Sequence, residues 1–288
     1  MFHESLTGGF TGAAHVAPLA LRPDRLLNYV WINDHPPSPD YPSPFQCSVP
    51  LTYLDRAYDN ARRYADTAVR IWYDGQFMDG QSRYFLQSHA YIHAPPNVRL
   101  KDLRDIEGYD TAYGFQLRDY AWVYERADIA RFMVIADGFA TTQAERIFYA
   151  DFDIEDVQLD NACTLSLLDR HGICMGKLVE DRGEAHMSEV GNDFAHGYIA
   201  AHRTCRTFLT EQLLPGLHAG MQEGSRICAE IRFQLYKKFS NDFDKPLEEV
   251  IAALVTDVPI PPIKAVMPPN HERYDHKSFC PSYAGREP

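Results

Sequence analysis

The sequence predicts an α/β protein with a helical C-terminal half, on three observations. A strand–helix–strand run occupies residues 26–73, an apolar strand stops abruptly at two carboxylates near mid-chain, and helical periodicity dominates beyond residue 190. Strand, helix and strand in succession are the beginning of an α/β sheet. The 288 residues can bury a sizeable core, and 45% hydrophobic with 24% charged residues is ordinary for a soluble globular chain.

Leu26-Leu27-Asn28-Tyr29-Val30-Trp31-Ile32 reads as the first strand, and the prolines at 36, 37 and 39 cannot continue it. Residues 51–65 read as a helix, with Leu54, Tyr58, Ala61 and Ala65 at helical spacing. A second strand is expected over Ala68-Val69-Arg70-Ile71-Trp72-Tyr73, ending at Asp74-Gly75. The next helix is expected over 120–136, with Asp119 as N-cap and Gly138 as its C-terminal stop. Trp122, Ile129, Phe132, Met133 and Ala136 make its apolar stripe, and Tyr124, Asp128 and Arg131 a neighbouring face. Beyond residue 190, helices are expected over 194–213, 216–239 and 246–255, followed by an irregular Pro-rich end. The domain reading is a loosely held segment 1–24, one domain over 25–258 with its core in 26–157 and a helical part in 190–258, and a tail or lid over 259–288.

Ile147-Phe148-Tyr149-Ala150-Asp151-Phe152-Asp153 carries the chemistry. Alternation along a strand would point Asp151 and Asp153 the same way at its carboxyl end, where ligand crevices of open α/β sheets lie. Two neighbouring carboxylates repel unless a cation sits between them, and oxygen-only ligation suits Mg²⁺ or Mn²⁺. The first expectation is a metal site for a phosphorylated substrate.

Composition narrows the class. A formal charge of −12 argues against a nucleic-acid partner held on an overall basic surface. No apolar run approaches the roughly 20 residues that span a bilayer. Residues 1–25 show no basic segment followed by an apolar core, so no secretory leader is expected. Cys47, Cys163, Cys174, Cys205, Cys228 and Cys280 are scattered without a C-x-x-C, which favours reduced thiols and synthesis in a cytoplasm. Delivery into another cell by a specialised secretion system would leave no trace of this kind. His171, His186, His196 and His202 lack metal-site spacing and are expected to be structural or surface residues.

Three pieces stand in a recognisable order: a strand carrying Tyr29-Val30-Trp31-Ile32, a helix carrying Asp128-Ile129-Ala130-Arg131, and the strand ending in Asp151-Phe152-Asp153, with Ile71-Trp72-Tyr73-Asp74 between the first two. This resembles the glycosyltransferase superfamily with a DXD sugar-binding region, which includes clostridial glucosylating toxins, yeast initiating mannosyltransferases and arginine N-acetylglucosaminyltransferase effectors. The resemblance covers about residues 26–157. It implies a GT-A fold, a Rossmann-like mixed sheet with flanking helices, and transfer of a sugar from a nucleotide donor with Mn²⁺ or Mg²⁺ and retained configuration. It implies Trp31 on the base, most simply uracil, and Asp128 and Arg131 on the sugar hydroxyls and phosphates. Asp153 would ligate the metal directly, and Asp151 would contact ribose and metal.

On the acceptor side the resemblance points to Glu189, Asn192 and Asp193 within residues 188–194. It points also to a C-terminal lid at Asp275-His276-Lys277-Ser278-Phe279, with Ser278 as a metal ligand and Phe279 where tryptophan is usual. Ala140–Arg146 replaces the usual Gly-Gly, and the stretch from Asp128 to Asp151 is longer than the family's. The acceptor stays open between protein, glycan and small molecule.

Plainer readings stand beside these. Asp128 with Arg131 would be a surface i,i+3 ion pair, Trp31 core packing, and Trp72 core rather than site. Asp-x-Asp after an apolar strand is also the first motif of haloacid-dehalogenase-type phosphatases, with the first Asp as nucleophile. There the motif opens its domain, with Thr or Val where this chain has Glu155. A non-catalytic binding protein on the same fold is the third alternative.

Overall fold

The structure, a computed structural model, describes residues 22–32, 49–109, 123–178, 194–222, 227–243 and 246–260. The order of elements is β1 (Arg22–Trp31), α1 (Leu51–Arg63), β2 (Thr67–Tyr73), α2 (Gly80–His93), β3 (Val98–Asp102), α3 (Val123–Thr141), β4 (Arg146–Ala150), α4 (Ala162–His171), β5 (Ile173–Leu178), β6 (Phe194–His202), α5 (Leu214–Gln222), α6 (Ile227–Phe243), α7 (Leu247–Ala252) and β7 (Val255–Ile260). The strands form one seven-stranded mixed sheet in the order β3-β2-β1-β4-β6-β5-β7. β6 runs antiparallel to both its neighbours, and the other pairings are parallel.

The central strands are mostly apolar because both faces are covered. Leu26 and Val30 pack on one face, with Ile147, Tyr149 and the helices α3, α5 and α6. Leu27, Tyr29, Phe148 and Ala150 pack on the other, with α1, α2 and α4. Asn28 is buried in β1, donating to Phe148 C=O at 3.2 Å and accepting from Trp72 Nε1 at 2.9 Å, so it bridges three strands. Trp72 is therefore core, as its plainer reading had it.

From β1 the chain builds outward through β2 and β3, then returns to place β4 against the other side of β1. Strand order reverses between β1 and β4, and crevices at the carboxyl ends of such a pair bind ligands. Trp31 ends β1, and Asp151 follows β4.

Three expectations about elements change. The segment 194–213 does not begin as a helix: its first part is β6, paired with β4 and β5. Ala200 and Ala201 suit a helix locally, whereas Tyr198 and Ile199 suit a strand, and pairing on both edges decides for the strand. Helix α7 stops at Ala252, and β7 takes the place of irregular chain through Ile260. Pro259 is exposed on that edge strand, where a missing N–H is tolerated. Third, α3 runs through Gly138 to Thr141. A Cβ at Gly138 would lie 2.6 Å from Ile147 Cδ1 and 2.8 Å from Leu26 Cδ2, so this glycine lets the helix lie close on the sheet. Asp119 and Trp122 lie outside the described residues. Beyond residue 190 the chain supplies helices α5 to α7 as expected, together with the strands β6 and β7, whereas helix α4 and strand β5 lie in a stretch for which no element was expected. Among the described residues no helix is long and apolar enough to cross a membrane.

Candidate functional site

Arg131 is the hub of the crevice. It projects from α3, and its Nη1 lies 2.9 Å from Asp128 Oδ1, one helical turn back. Its Nε donates to the Tyr149 hydroxyl at 3.1 Å. Its Nη2 lies 3.2 Å from Oδ1 and 3.3 Å from Oδ2 of Asp151. The Tyr149 hydroxyl in turn donates to Asp151 Oδ1. Burial opposes the guanidinium charge, yet Asp151, Tyr149 and Asp128 together hold its pKa above the ordinary arginine value. The surface ion-pair reading fails here, because Asp128 is buried at 8% exposure and the Arg131 side chain keeps 15%.

Tyr149 is a group that sequence reasoning quoted without a role. Two residues before Asp151 on an extended chain, it shares that residue's side of the sheet, and this spacing was the available signal. Its ring lies under the Arg131 guanidinium, 5.4 Å to the centroid. Burial first, and then the Asp151 charge, push its hydroxyl pKa well above the ordinary tyrosine range despite Arg131. It is a neutral hydrogen-bonding pillar.

Asp151 and Asp153 are not strand residues. β4 ends at Ala150, and the chain turns at once, with Ile154 N–H donating to Asp151 C=O at 3.2 Å. A turn, rather than strand alternation, brings the two carboxylates together. Asp151 N–H donates to Gly197 C=O of β6 at 2.7 Å, and a Cβ at Gly197 would sit 2.7 Å from Asp151 Oδ2. Gly197 thus leaves the room that the carboxylate fills.

The two aspartates differ in state. Burial, then the charge of Asp151, raise the Asp153 carboxyl to about 6. Its Oδ1 is buried without a hydrogen-bond partner. A buried acceptor left unpaired beside a second carboxylate is the environment a cation relieves. Among the described residues no three His, Cys, Asp or Glu side chains gather at one point. The pair nevertheless fits a hard divalent ion such as Mg²⁺, which is commonly held by one or two carboxylates with substrate phosphates and water.

Trp31 is partly buried at the rim. Its ring lies 5.7 Å from that of Tyr53 on α1 and 6.2 Å, edge-on, from Phe152, the residue between the two aspartates. Tyr53 stacks on Phe152 at 6.1 Å, and Arg56 lies 6.0 Å from the Tyr53 centroid. Burial, followed by the charge of Asp153, raises the Tyr53 hydroxyl pKa. The first turns of α1 therefore face the carboxylates, which its apolar periodicity did not reveal.

The structure thus brings Asp128, Arg131, Asp151 and Asp153 together with Trp31 beside them. Glu189, Asn192, Asp193, His276, Ser278 and Phe279 lie outside the described residues. His171 packs edge-on against Phe239, and His202 Nδ1 lies 3.0 Å from Thr204 Oγ1, both structural contacts. The phosphatase alternative requires Asp151 to be a free nucleophile, whereas both its oxygens are bonded by Arg131 and one also by Tyr149.

No protein-family model matches the chain, and no curated protein is similar to it in sequence. Solved structures are similar in shape. A transferase carrying two cysteine-to-serine substitutions has a TM-score of 0.51 at 13% identity, over 82% of this chain and 90% of that chain. Another transferase gives 0.49 at 15% identity over 82% and 91%. The bacterial N-acetylglucosamine transferase NleB gives 0.42 at 13% over 80% and 91%. The first of these shares the fold of this chain, a mixed seven-stranded sheet with flanking helices, which is the GT-A type of arrangement expected from the sequence.

Proposed function

We propose, from this GT-A fold and the residues at its switch point, that the protein is a metal-dependent glycosyltransferase. It moves a sugar from a nucleotide-sugar donor, with UDP as the nucleotide, to an acceptor hydroxyl or amine with retention. One observation carries the reading: Arg131 ties Asp128 on α3 to Asp151 after β4, beside the unpartnered, buried Oδ1 of Asp153.

In this reading Trp31 receives the base on its ring face, an interaction tolerant of base identity. Asp128 accepts hydrogen bonds from sugar hydroxyls, its direction fixed by Arg131. The leaving diphosphate gains charge as the glycosidic bond breaks, and preorganised cationic groups stabilise that charge. Arg131 lends its field from a fixed position. Arg56, beside Tyr53 near Asp153, adds a second positive charge at the same mouth. Asp151 and Asp153 would hold Mn²⁺ or Mg²⁺, which supplies Lewis-acid stabilisation of the diphosphate when bound. Glu189 and Asn192 are proposed on the acceptor side, and Ser278 as a further metal ligand in a closing C-terminal segment. The acceptor is a protein, glycan or small molecule.

The test is a panel of UDP- and GDP-sugars with Mn²⁺, followed by mass spectrometry for donor hydrolysis and for sugar added to proteins in a cell lysate. At least one donor should be hydrolysed, and Asp153→Ala should abolish it. A panel giving neither turnover nor thermal stabilisation would sink the reading. Turnover of simple phosphate esters with Mg²⁺ would restore the phosphatase.

A further inference from the structure

A second buried charge cluster lies between the residues assigned to the donor. Asp74, the residue after β2, is 1% exposed, and Arg126, near the start of α3, is 3% exposed. Arg126 Nη2 lies 2.6 Å from Asp74 Oδ2. The Tyr109 hydroxyl closes the triangle: it donates to Asp74 Oδ2 at 2.8 Å and accepts from Arg126 Nε at 2.9 Å. The guanidinium lies over the rings of Phe77 and Tyr109, 4.6 and 5.2 Å from their centroids. Burial raises the Asp74 carboxyl pKa against the pull of Arg126, so ionising this group here is costly. Arg126 Nη1 is also buried without a hydrogen-bond partner. Apolar side chains of the same volume often serve stability as well as a buried ion pair does, or better. What such a pair does supply is fixed geometry.

The geometry it fixes is specific. Asp74 N–H donates to Trp31 C=O at 3.3 Å, so one end of the pair is tied to the last residue of β1. The other end stands on α3 two residues before Asp128 and five before Arg131. We propose that Arg126, Asp74 and Tyr109 form a positioning joint that sets the separation between Trp31 and the Asp128–Arg131 pair, and so sets affinity for the nucleotide-sugar donor. The inference rests on the proposed function, because only in that reading do the two ends grip one ligand. Misplacing one grip by about 1 Å can cost on the order of a hundredfold in rate.

Tyr109→Phe is the test, since it removes the bridging hydroxyl and keeps the ring under Arg126. Arg126→Lys is the second variant: it keeps the charge and loses the planar fork. Thr164→Val is the control, deleting the buried 2.7 Å hydroxyl pair with Thr256 at the β7 edge. Binding of UDP with Mn²⁺ to the full chain is measured by calorimetry, thermal midpoints are recorded, and donor KM is separated from kcat. Tyr109→Phe should weaken UDP binding about tenfold and raise KM more than it lowers kcat, while the control, destabilised to a similar degree, binds as wild type. Arg126→Lys should act in the same direction. Wild-type affinity in both joint variants overturns the inference, and so does an equal loss in the control. A wild type that binds no nucleotide overturns the proposed function and this inference with it, whereas binding wild type with unaffected joint variants overturns the inference alone.

Discussion

Arg131 Nη2 on α3 and Asp151 Oδ1 just after β4 lie 3.2 Å apart, with nineteen residues between them in the chain. Arg131 faces two carboxylates and a tyrosine with every nitrogen of its fork engaged. It holds Asp128, Asp151 and Tyr149 in place, and in the proposed function its charge acts on the donor from that fixed position.

Removing the arginine therefore leaves Asp128 and Asp151 without their shared cation. Arg131→Ala should destabilise the fold by about 3–5 kcal/mol, as for other buried pairs that lose one partner. Arg131→Lys keeps the charge without the planar fork and should lose less stability, but nearly all donor turnover. Urea unfolding midpoints read the first effect, and hydrolysis of the best donor reads the second. Equal turnover by the lysine variant would show that the fork is not needed.

Asp153 should make stability and function oppose each other. Its carboxyl is raised to about 6 by burial and by Asp151, against about 4 in an unfolded chain. Between those values the folded state keeps a proton that the unfolded state has lost. The associated stability is present at low pH and is lost as pH rises through the folded value. Asp153→Asn should thus raise the thermal midpoint of the ligand-free protein at about pH 8 and leave it close to wild type near pH 4. The same variant should lose the stabilisation given by Mn²⁺ with UDP. In the wild type that stabilisation should grow from about pH 5 to pH 7, as the cation displaces the proton.

Trp31 is tested by affinity rather than by stability. If the base stacks on it, Trp31→Ala should lose about 1–3 kcal/mol of UDP binding and Trp31→Phe less. Calorimetry with UDP and Mn²⁺ measures this. If Trp31 only packs against Tyr53 and Phe152, the alanine variant will lower the thermal midpoint and bind UDP as before.

Residues whose own sequence neighbourhood carries their signal were legible. β1, α1, β2, α3 and β4 follow from apolar periodicity, and with them the placing of Asp128 and Arg131 on α3 and of Asp151 and Asp153 just after β4. β6 was not, because Ala200 and Ala201 prefer a helix locally, and pairing with β4 and β5 is a long-range fact. Tyr53 and Arg56 stayed hidden for a related reason: a helix pattern reports which face is apolar, not what stands opposite its first turn. The two glycines are the clearest case. Gly138 looked like a helix stop and Gly197 like nothing, since the atoms that demand a missing Cβ belong to distant strands and to Asp151.

Gly197 provides the test that separates the site's geometry from its chemistry, because it contributes no functional group. In Gly197→Ala the new methyl would stand 2.7 Å from Asp151 Oδ2 and 3.2 Å from Ile260 Cγ2. The flexible end is the carboxylate, so the carboxylate should move, and its contacts with Arg131 and Tyr149 should lengthen. Overpacking of this kind costs about 1–3 kcal/mol of stability. The larger effect should fall on Mn²⁺-dependent UDP binding and donor turnover, since the displaced oxygen belongs to the pair proposed to hold the metal. Gly176→Ala is the matched control: its Cβ would meet Ile260 Cδ1 at 2.5 Å on neighbouring β5, with no carboxylate among its nearest atoms. Both variants should show lowered unfolding midpoints, and only Gly197→Ala should lose nucleotide binding beyond what its lost stability explains. Equal binding by the two would mean that Asp151 does not need its present position.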